Sequence, residues 1–226
     1  MVKINKLITK INRKKTNDTN RIKYIVIHYV GATGGAEANC KYFYSTYRGA
    51  SAHYFVGHGG EVWQCVEDGD TAWHCGALFY KHKGCRNSNS IGIELCVRKG
   101  SNWYFEDATV NAAIELTREL MQKYNVPVDN VLRHYNVTGK ICPEPYVRDA
   151  IAWERFKKAL GASVSGSFLV KITASKLNVR AGASTAYKIN TTVKKNEIYT
   201  IVEVKGDWGK LKSGAGWINL NYTKRL

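Results

Sequence analysis

The segment Arg133-His134-Tyr135-Asn136-Val137-Thr138-Gly139-Lys140-Ile141-Cys142-Pro143 gathers an imidazole, an ammonium and a thiol within eleven residues. His134 and Cys142 stand eight positions apart, and Lys140 lies two before the thiol. Gly139 lets the intervening chain turn tightly, and Pro143 stiffens the backbone just beyond the cysteine. A nitrogen donor and a sulfur donor at the two ends of so short a segment can converge on one borderline-soft divalent metal, most readily zinc. A catalytic zinc takes three protein donors and keeps a fourth position open, so one more ligand has to come from elsewhere in the chain.

The elements that would position such a site can be read from apolar patterning. Tyr24-Ile25-Val26-Ile27-His28-Tyr29-Val30 is a continuous β-branched and aromatic run, as in a central strand covered on both faces. It ends in Gly31-Ala32-Thr33-Gly34-Gly35, which places His28 near the C-terminal end of the strand beside a flexible loop. Sheets flanked by helices carry their site residues at such ends, so His28 becomes the third donor of a site assembled by the fold. Ser90 to Val97 is a second apolar strand with one ionisable residue, Glu94, in its middle. Ala52–Val56 and Glu61–Val66 form a hairpin across Gly57-His58-Gly59-Gly60.

Helices are expected over Ala36–Arg48, over about Glu106–Tyr124 with Glu115, Arg118 and Glu119 facing solvent, and over Asp149–Leu160. The first 21 residues are strongly basic and read as an arm or short helix. Asp68 to Ser90 is a long irregular segment, more suited to a binding surface than to a passive connection. Gly161-Ala162-Ser163-Val164-Ser165-Gly166-Ser167 reads as a flexible linker. Residues 168–226 carry short β-type runs without helical period, as in a small all-β barrel.

The chain is long enough, at 226 residues, for a domain of moderate size and a small module. Its 34 Lys+Arg against 18 Asp+Glu give a formal charge of +16, a surface that seeks polyanions. Anionic cell-wall polymers satisfy that preference as well as nucleic acid does, and no nucleic-acid recognition motif is present. No run approaches the roughly 20 apolar residues of a membrane span. The N-terminus lacks the apolar run of a secretory signal, which predicts synthesis in the cytoplasm and release by another route. Six cysteines without a CxxC pair suggest reduced core thiols at Cys40, Cys65, Cys75, Cys85 and Cys96.

Val26-Ile27-His28, Ser51-Ala52-His53-Tyr54, Asn89-Ser90-Ile91-Gly92-Ile93-Glu94 and the segment from Arg133 to Pro143 occur together in this order. Over about residues 20–160 they resemble the zinc-dependent N-acetylmuramoyl-L-alanine amidases of phage endolysins, bacterial autolysins and peptidoglycan recognition proteins. The resemblance implies an α/β catalytic domain over residues 1–160, with a central mixed sheet flanked by helices. It implies zinc held by His28, His134 and Cys142, with water in the fourth place. Such a zinc lowers the pKa of bound water toward about 7 and polarises the amide carbonyl between N-acetylmuramic acid and L-alanine. Glu94, desolvated in an apolar strand, is the expected general base, and Lys140 is expected to stabilise the oxyanion.

His74 matches a family position that contacts substrate near the metal, whereas His53 is expected to pack or hydrogen-bond beneath the site. Some phage members carry a catalytic tyrosine immediately before the residue matching His53. Ala52 stands there in this chain, which places it with the members that use the strand glutamate. Relatives often have Asp where Asn136 stands, a change not expected to remove metal binding.

Lys176-Leu177-Asn178-Val179-Arg180-Ala181-Gly182-Ala183-Ser184-Thr185, with Gly206-Asp207-Trp208-Gly209 and Gly216-Trp217-Ile218-Asn219, resembles the bacterial SH3 domains that tether wall hydrolases to peptidoglycan. Residues 168–226 hold 11 Lys+Arg against 3 Asp+Glu, which suits anionic wall polymers. At least one of Trp208 and Trp217 is expected in the core. The whole reads as an endolysin of a phage or prophage with a Gram-positive host. A bacterial autolysin and a non-catalytic peptidoglycan sensor are the alternatives, and Cys142, which such sensors commonly lose, argues against the second.

Overall fold

Alternation along two apolar strands sorts core from site in this protein. The computed structural model describes residues 2–161, 168–205 and 207–226, and the chain divides into two units, Met1–Gly161 and Ala162–Leu226. All but Gly161 of the linker expected over 161–167 lies outside the described residues.

The first unit runs β1 (Ile4–Lys6), β2 (Tyr24–Tyr29), α1 (Ala36–Tyr44), β3 (Tyr54–Val56), β4 (Val62–Gln64) and β5 (Ser90–Leu95). A short hairpin, β6 (Arg98–Lys99) and β7 (Trp103–Tyr104), leads to α2 (Asp107–Tyr124), β8 (Val131–Arg133), α3 (His134–Thr138), α4 (Glu144–Arg148) and α5 (Ala150–Gly161). The main sheet has the order β1-β4-β3-β5-β2-β8. It is mixed: β2 runs parallel to β5 and β8, and β3 antiparallel to β4.

Successive strand residues face opposite sides of a sheet. Ile25 and Ile27 of β2 join Ile91, Ile93 and Leu95 of β5 in one cluster with Leu116 and Leu120 of α2 and Trp153, Phe156 and Leu160 of α5. Phe156 stacks on Trp153 with ring centroids 5.5 Å apart, and truncating so buried an aromatic costs about 3–5 kcal/mol. The intervening residues, Val26 and His28 on β2 and Gly92 and Glu94 on β5, face the other way. That second face is covered by α1, through Cys40 packed with Phe55, Cys65 and Cys96. A strap carrying Cys75 and Cys85 packs on Val26 beside it. All six cysteines are buried and unbridged.

The N-terminal segment differs from the expected arm. β1 pairs parallel with β4, in register Ile4↔Val62. The chain then continues along the same partner, with Thr9 N–H donating to Cys65 O at 2.9 Å and Lys14 and Thr71 exchanging both backbone bonds. Part of the basic charge is spent internally: Arg13 pairs with Asp70, and Arg21 donates to the carbonyls of Asp68 and Asp70. Two further expectations are corrected. Helix α1 stops at Tyr44 instead of Arg48. Arg118 and Glu119 do not face solvent freely, since Arg118 donates to Ala159 O and Glu119 accepts from Val2 N–H.

The second unit is all β: β9 (Phe168–Ile172), β10 (Lys176–Arg180), β11 (Ile189–Lys194), β12 (Ile198–Lys205), β13 (Trp208–Leu211), β14 (Trp217–Asn219) and β15 (Thr223–Arg225). They form one sheet of order β11-β10-β14-β13-β12-β9-β15, over a core that includes Val170, Ile172, Val179, Ile201 and Ile218. Trp217 is buried, while Trp208 is only half-buried. No described helix is long and apolar enough to cross a membrane.

Candidate metal centre

Register brings two histidines to the same end of neighbouring strands. Ile27 of β2 pairs with Arg133 of β8, so the next residue on each, His28 and His134, emerges side by side. After β8 the chain turns at once into α3. Asn136 stabilises that turn by accepting from the Arg133 backbone N–H at 3.0 Å and from its Nε at 3.1 Å. Gly139, at φ +89°, ends the helix and donates to Tyr135 O at 2.9 Å. A Cβ there would meet nothing within 4 Å, so backbone conformation alone calls for glycine. The chain then folds back, and Tyr135 N–H donates to Cys142 O at 2.8 Å. The thiol is thereby returned to the histidine that opens the segment.

His28, His134 and Cys142 offer ligand atoms that all lie within 4.8 Å of one another. Cys142 Sγ is 3.7 Å from His28 Nδ1, and the two histidine rings meet edge to face at 4.7 Å. All three side chains are buried, and His134 Nδ1 has no hydrogen-bond partner. Burial, with His134, His74 and Lys140 nearby, pushes the His28 imidazole well below its ordinary range. Burial and Lys140 push His134 down to about 4. Both rings are therefore uncharged at neutral pH, with lone pairs to offer. Burial and Glu94 push the Cys142 thiol up to about 12.

Glu94 stands opposite His28 in the β2–β5 register. Its Oε1 lies 4.0 Å from His28 Nδ1, and Oε2 is buried without a partner. Burial pushes this carboxyl up to about 8, against the opposing pull of Lys140. Glu94 also borders a hollow of about 270 Å³ with Asn39, Phe43 and Phe55. Lys140 is exposed and lines a larger cleft, of about 640 Å³, with His134, Thr138, His74, Trp73 and Tyr47.

His74 borders that cleft and also touches the metal-type cluster, its Nδ1 lying 3.0 Å from His28 Nε2. Its backbone N–H and that of Cys75 both donate to Asn87 Oδ1, at 3.1 and 2.8 Å. His53 is fully buried, accepting from Gly92 N–H at 3.0 Å and donating to Asp70 O at 3.1 Å, as expected of a residue beneath the site. Asn87, Ser90 and Gly92 were not singled out by their types. The available signal was Gly92, since a glycine inside an apolar strand marks close approach by another group.

A mixed α/β unit with two imidazoles at its strand ends and a thiol folded back onto them, joined to a small all-β unit, defines the class. Residues 18–145 match the N-acetylmuramoyl-L-alanine amidase family and residues 175–224 the bacterial SH3 domain. The chain belongs to that amidase family. It is 32% identical over 189 residues to the N-acetylmuramoyl-L-alanine amidase CwlL of Bacillus licheniformis, covering 77% of this chain and 51% of that protein. The chain thus spans about half the length of the curated relatives it matches first. A mutant endolysin from Bacillus subtilis superposes with a TM-score of 0.59 at 28% identity, over 71% of this chain and 100% of that one. PlyL superposes at 0.60 with 25% identity, over 70% and 97%.

Proposed function

We propose that this chain is a zinc-dependent N-acetylmuramoyl-L-alanine amidase that acts as an endolysin on Gram-positive walls. The observation that carries the reading is the convergence of His28, His134 and Cys142, with ligand atoms within 4.8 Å, beside a carboxylate in register with the first of them. The donor set suits zinc: two neutral imidazoles and one thiolate leave a tetrahedral site with one open position. The partnerless His134 Nδ1, buried beside the other two donors, fits a metal ligand. When bound, zinc would supply Lewis-acid polarisation of the amide carbonyl and acidify the attacking water.

The chain's own residues do the rest. Glu94 takes the proton of the attacking water on a carboxylate oxygen and carries it toward the departing alanine nitrogen. Its raised affinity for protons, from burial, suits that exchange. Lys140 places an ammonium on the cleft side, where the carbonyl oxygen gains charge. Tyr47 and Trp73, in edge contact at 6.1 Å, offer aromatic faces to the glycan or peptide in the cleft. His74 lines the same cleft near the metal, as a substrate contact requires.

The second unit would hold the enzyme at the wall. Lys176, Arg180, Trp208 and Tyr222 line a hollow of about 390 Å³ with no acidic residue among its lining. Cationic and aromatic walls of this kind suit stem peptides, sugars and anionic wall polymers. Two weak contacts within one chain raise the effective concentration of the catalytic unit at its substrate. This enzyme would be made in the host cytoplasm and act after release. Digestion of purified Gram-positive walls, with and without chelator, tests the reading. New alanine amino termini that vanish with zinc are expected, and new reducing sugar ends would overturn it.

A further inference from the structure

A chain of three hydrogen bonds leads from a backbone carbonyl to the first metal-type ligand, and its polarity is fixed at one end. Ser90 Oγ lies 2.6 Å from Arg86 O. A carbonyl can only accept, so the single hydroxyl proton of Ser90 goes to Arg86. His74 Nε2, 3.1 Å from Ser90 Oγ, must then be the donor to that oxygen. A ring that carries its proton on Nε2 presents a lone pair at Nδ1, and that atom faces His28 Nε2 at 3.0 Å. His28 Nε2 must therefore carry the proton, which leaves the lone pair of His28 on Nδ1. That is the atom 3.7 Å from Cys142 Sγ.

We propose that Ser90 and His74 form a relay that fixes the tautomer of His28 and aims its Nδ1 lone pair at the metal position. The inference rests on the metal reading above and gives His74 a positioning role besides any contact with substrate. The surroundings are built to hold the relay. A Cβ at Gly92 would come within 2.5 Å of His74 Cγ, so only glycine leaves room for the ring. Asn87 grips the backbone at His74 and Cys75. Arg86, whose carbonyl starts the chain, is tied by its guanidinium to His82 O at 3.0 Å and by its N–H to Asn89 Oδ1 at 2.8 Å. The long segment between Asp68 and Ser90 thus supports a metal ligand from behind.

The test uses the full chain as wild type, His74→Ala, His74→Asn and Ser90→Ala. Zinc dissociation constants come from competition with a chromophoric chelator, and folding is monitored by circular dichroism. Partners behind a ligating histidine are typically worth about 10–100-fold in metal affinity. His74→Ala is expected to weaken zinc binding within that range, and Ser90→Ala by a smaller factor. His74→Asn keeps an acceptor oxygen where His74 Nδ1 stands, and is expected to restore most of the affinity.

Nitrogen-15 NMR of the zinc-free wild type gives a readout independent of metal and activity. His28 is expected as the Nε2–H tautomer, shifting toward a mixture in His74→Ala. A wild-type His28 protonated on Nδ1, or folded His74→Ala and Ser90→Ala variants that bind zinc as tightly as wild type, would overturn the relay. A wild type that binds no zinc, with His28 still in the Nε2–H form, would overturn the metal reading and leave the relay standing. If His74→Ala does not fold, Ser90→Ala and the tautomer measurement decide.

Discussion

His28 and Glu94 are direct partners in the parallel register of β2 and β5, with the carboxylate Oε1 4.0 Å from His28 Nδ1. The pairing explains how one donor of the proposed metal site and the proposed base come to share a face. Both are the fifth residue of their strands, so period-2 alternation sends them to the side that α2 and α5 leave free. Removing the base should therefore leave the metal site intact. Glu94→Gln is expected to lower kcat by about 10²–10⁴-fold, the usual worth of a positioned acid–base group. Zinc content should stay at one per chain by metal analysis. Activity within a few-fold of wild type would assign the proton transfer elsewhere.

The same carboxyl should leave a mark on stability in the chelated protein. Its ordinary value is 4.5, and burial raises it to about 8 in the folded chain. The folded state therefore holds a proton that the unfolded state has already released. Stability from this group is full below about 4.5 and is lost as pH rises through about 8. Glu94→Gln removes that loss. Its unfolding free energy from denaturant titration should gain on that of wild type between pH 5 and 8, by an amount on the order of a few kcal/mol. His134 works in the opposite direction. Held down to about 4 from 6.5, it adds stability above about 6.5 that is lost as pH falls through about 4. A Glu94→Gln advantage that stays flat with pH would contradict the desolvated carboxyl.

Much of the catalytic unit was legible in sequence because its strongest elements are locally determined. The unbroken apolar runs of β2 and β5 fix two central strands, and the periodic Leu116 and Leu120 mark the buried face of α2. The three donors could be chosen because an imidazole and a thiol at a glycine turn, with an imidazole at a strand end, have few other uses in common. The N-terminal segment was not legible. Its pairing with β4 depends on backbone bonds to residues more than fifty positions away, and the strand Ile4–Lys6 holds a single apolar residue among polar and basic neighbours. Arg13 illustrates the difficulty, since its surface-type side chain is committed to Asp70. The support behind His28 was hidden for a similar reason. Asn87 looks like a loop residue and Ser90 like an ordinary strand start until the fold sets them against His74.

Zinc binding should release a proton from Cys142. Without a cation, burial and Glu94 hold this thiol up at about 12, so it is protonated at neutral pH. A metal ligand must be the thiolate. Both histidines are already neutral at that pH and release nothing. Calorimetry at pH 7.5 in buffers of different ionisation enthalpy should give more than one proton released per zinc, one from the thiol and the remainder from metal-bound water. Cys142→Ser should weaken zinc binding by orders of magnitude. Proton release that persists unchanged in the serine variant would assign it to another group.

Gly139 governs how accurately Cys142 returns to His134. At φ +89° a side chain is strained although no atom lies within 4 Å of the added Cβ. Gly139→Ala is therefore expected to cost about 1–2 kcal/mol through the backbone alone. Part of that cost should appear as weaker zinc affinity, since the turn sets the position of the thiol. A thermal melt and a zinc competition on the same variant separate the two effects. If zinc affinity is unchanged while the melt drops, the turn serves folding only.

The second unit offers the sharpest contrast between two tryptophans. Trp217 is 9% exposed and packs in the core, whereas Trp208 lines the hollow with Lys176, Arg180 and Tyr222. Trp208→Ala should thus reduce binding of the chain to purified walls by about tenfold, the worth of roughly one stacked aromatic contact at 1–1.5 kcal/mol. Its melting behaviour and its rate on a small soluble muropeptide should stay near those of wild type, because neither depends on wall attachment. Trp217→Ala should instead destabilise the unit by about 3–5 kcal/mol. Raising salt should weaken wall binding in wild type and in Trp208→Ala alike, since the cationic side chains remain. Wall binding by Trp208→Ala equal to that of wild type would remove this hollow as the attachment site.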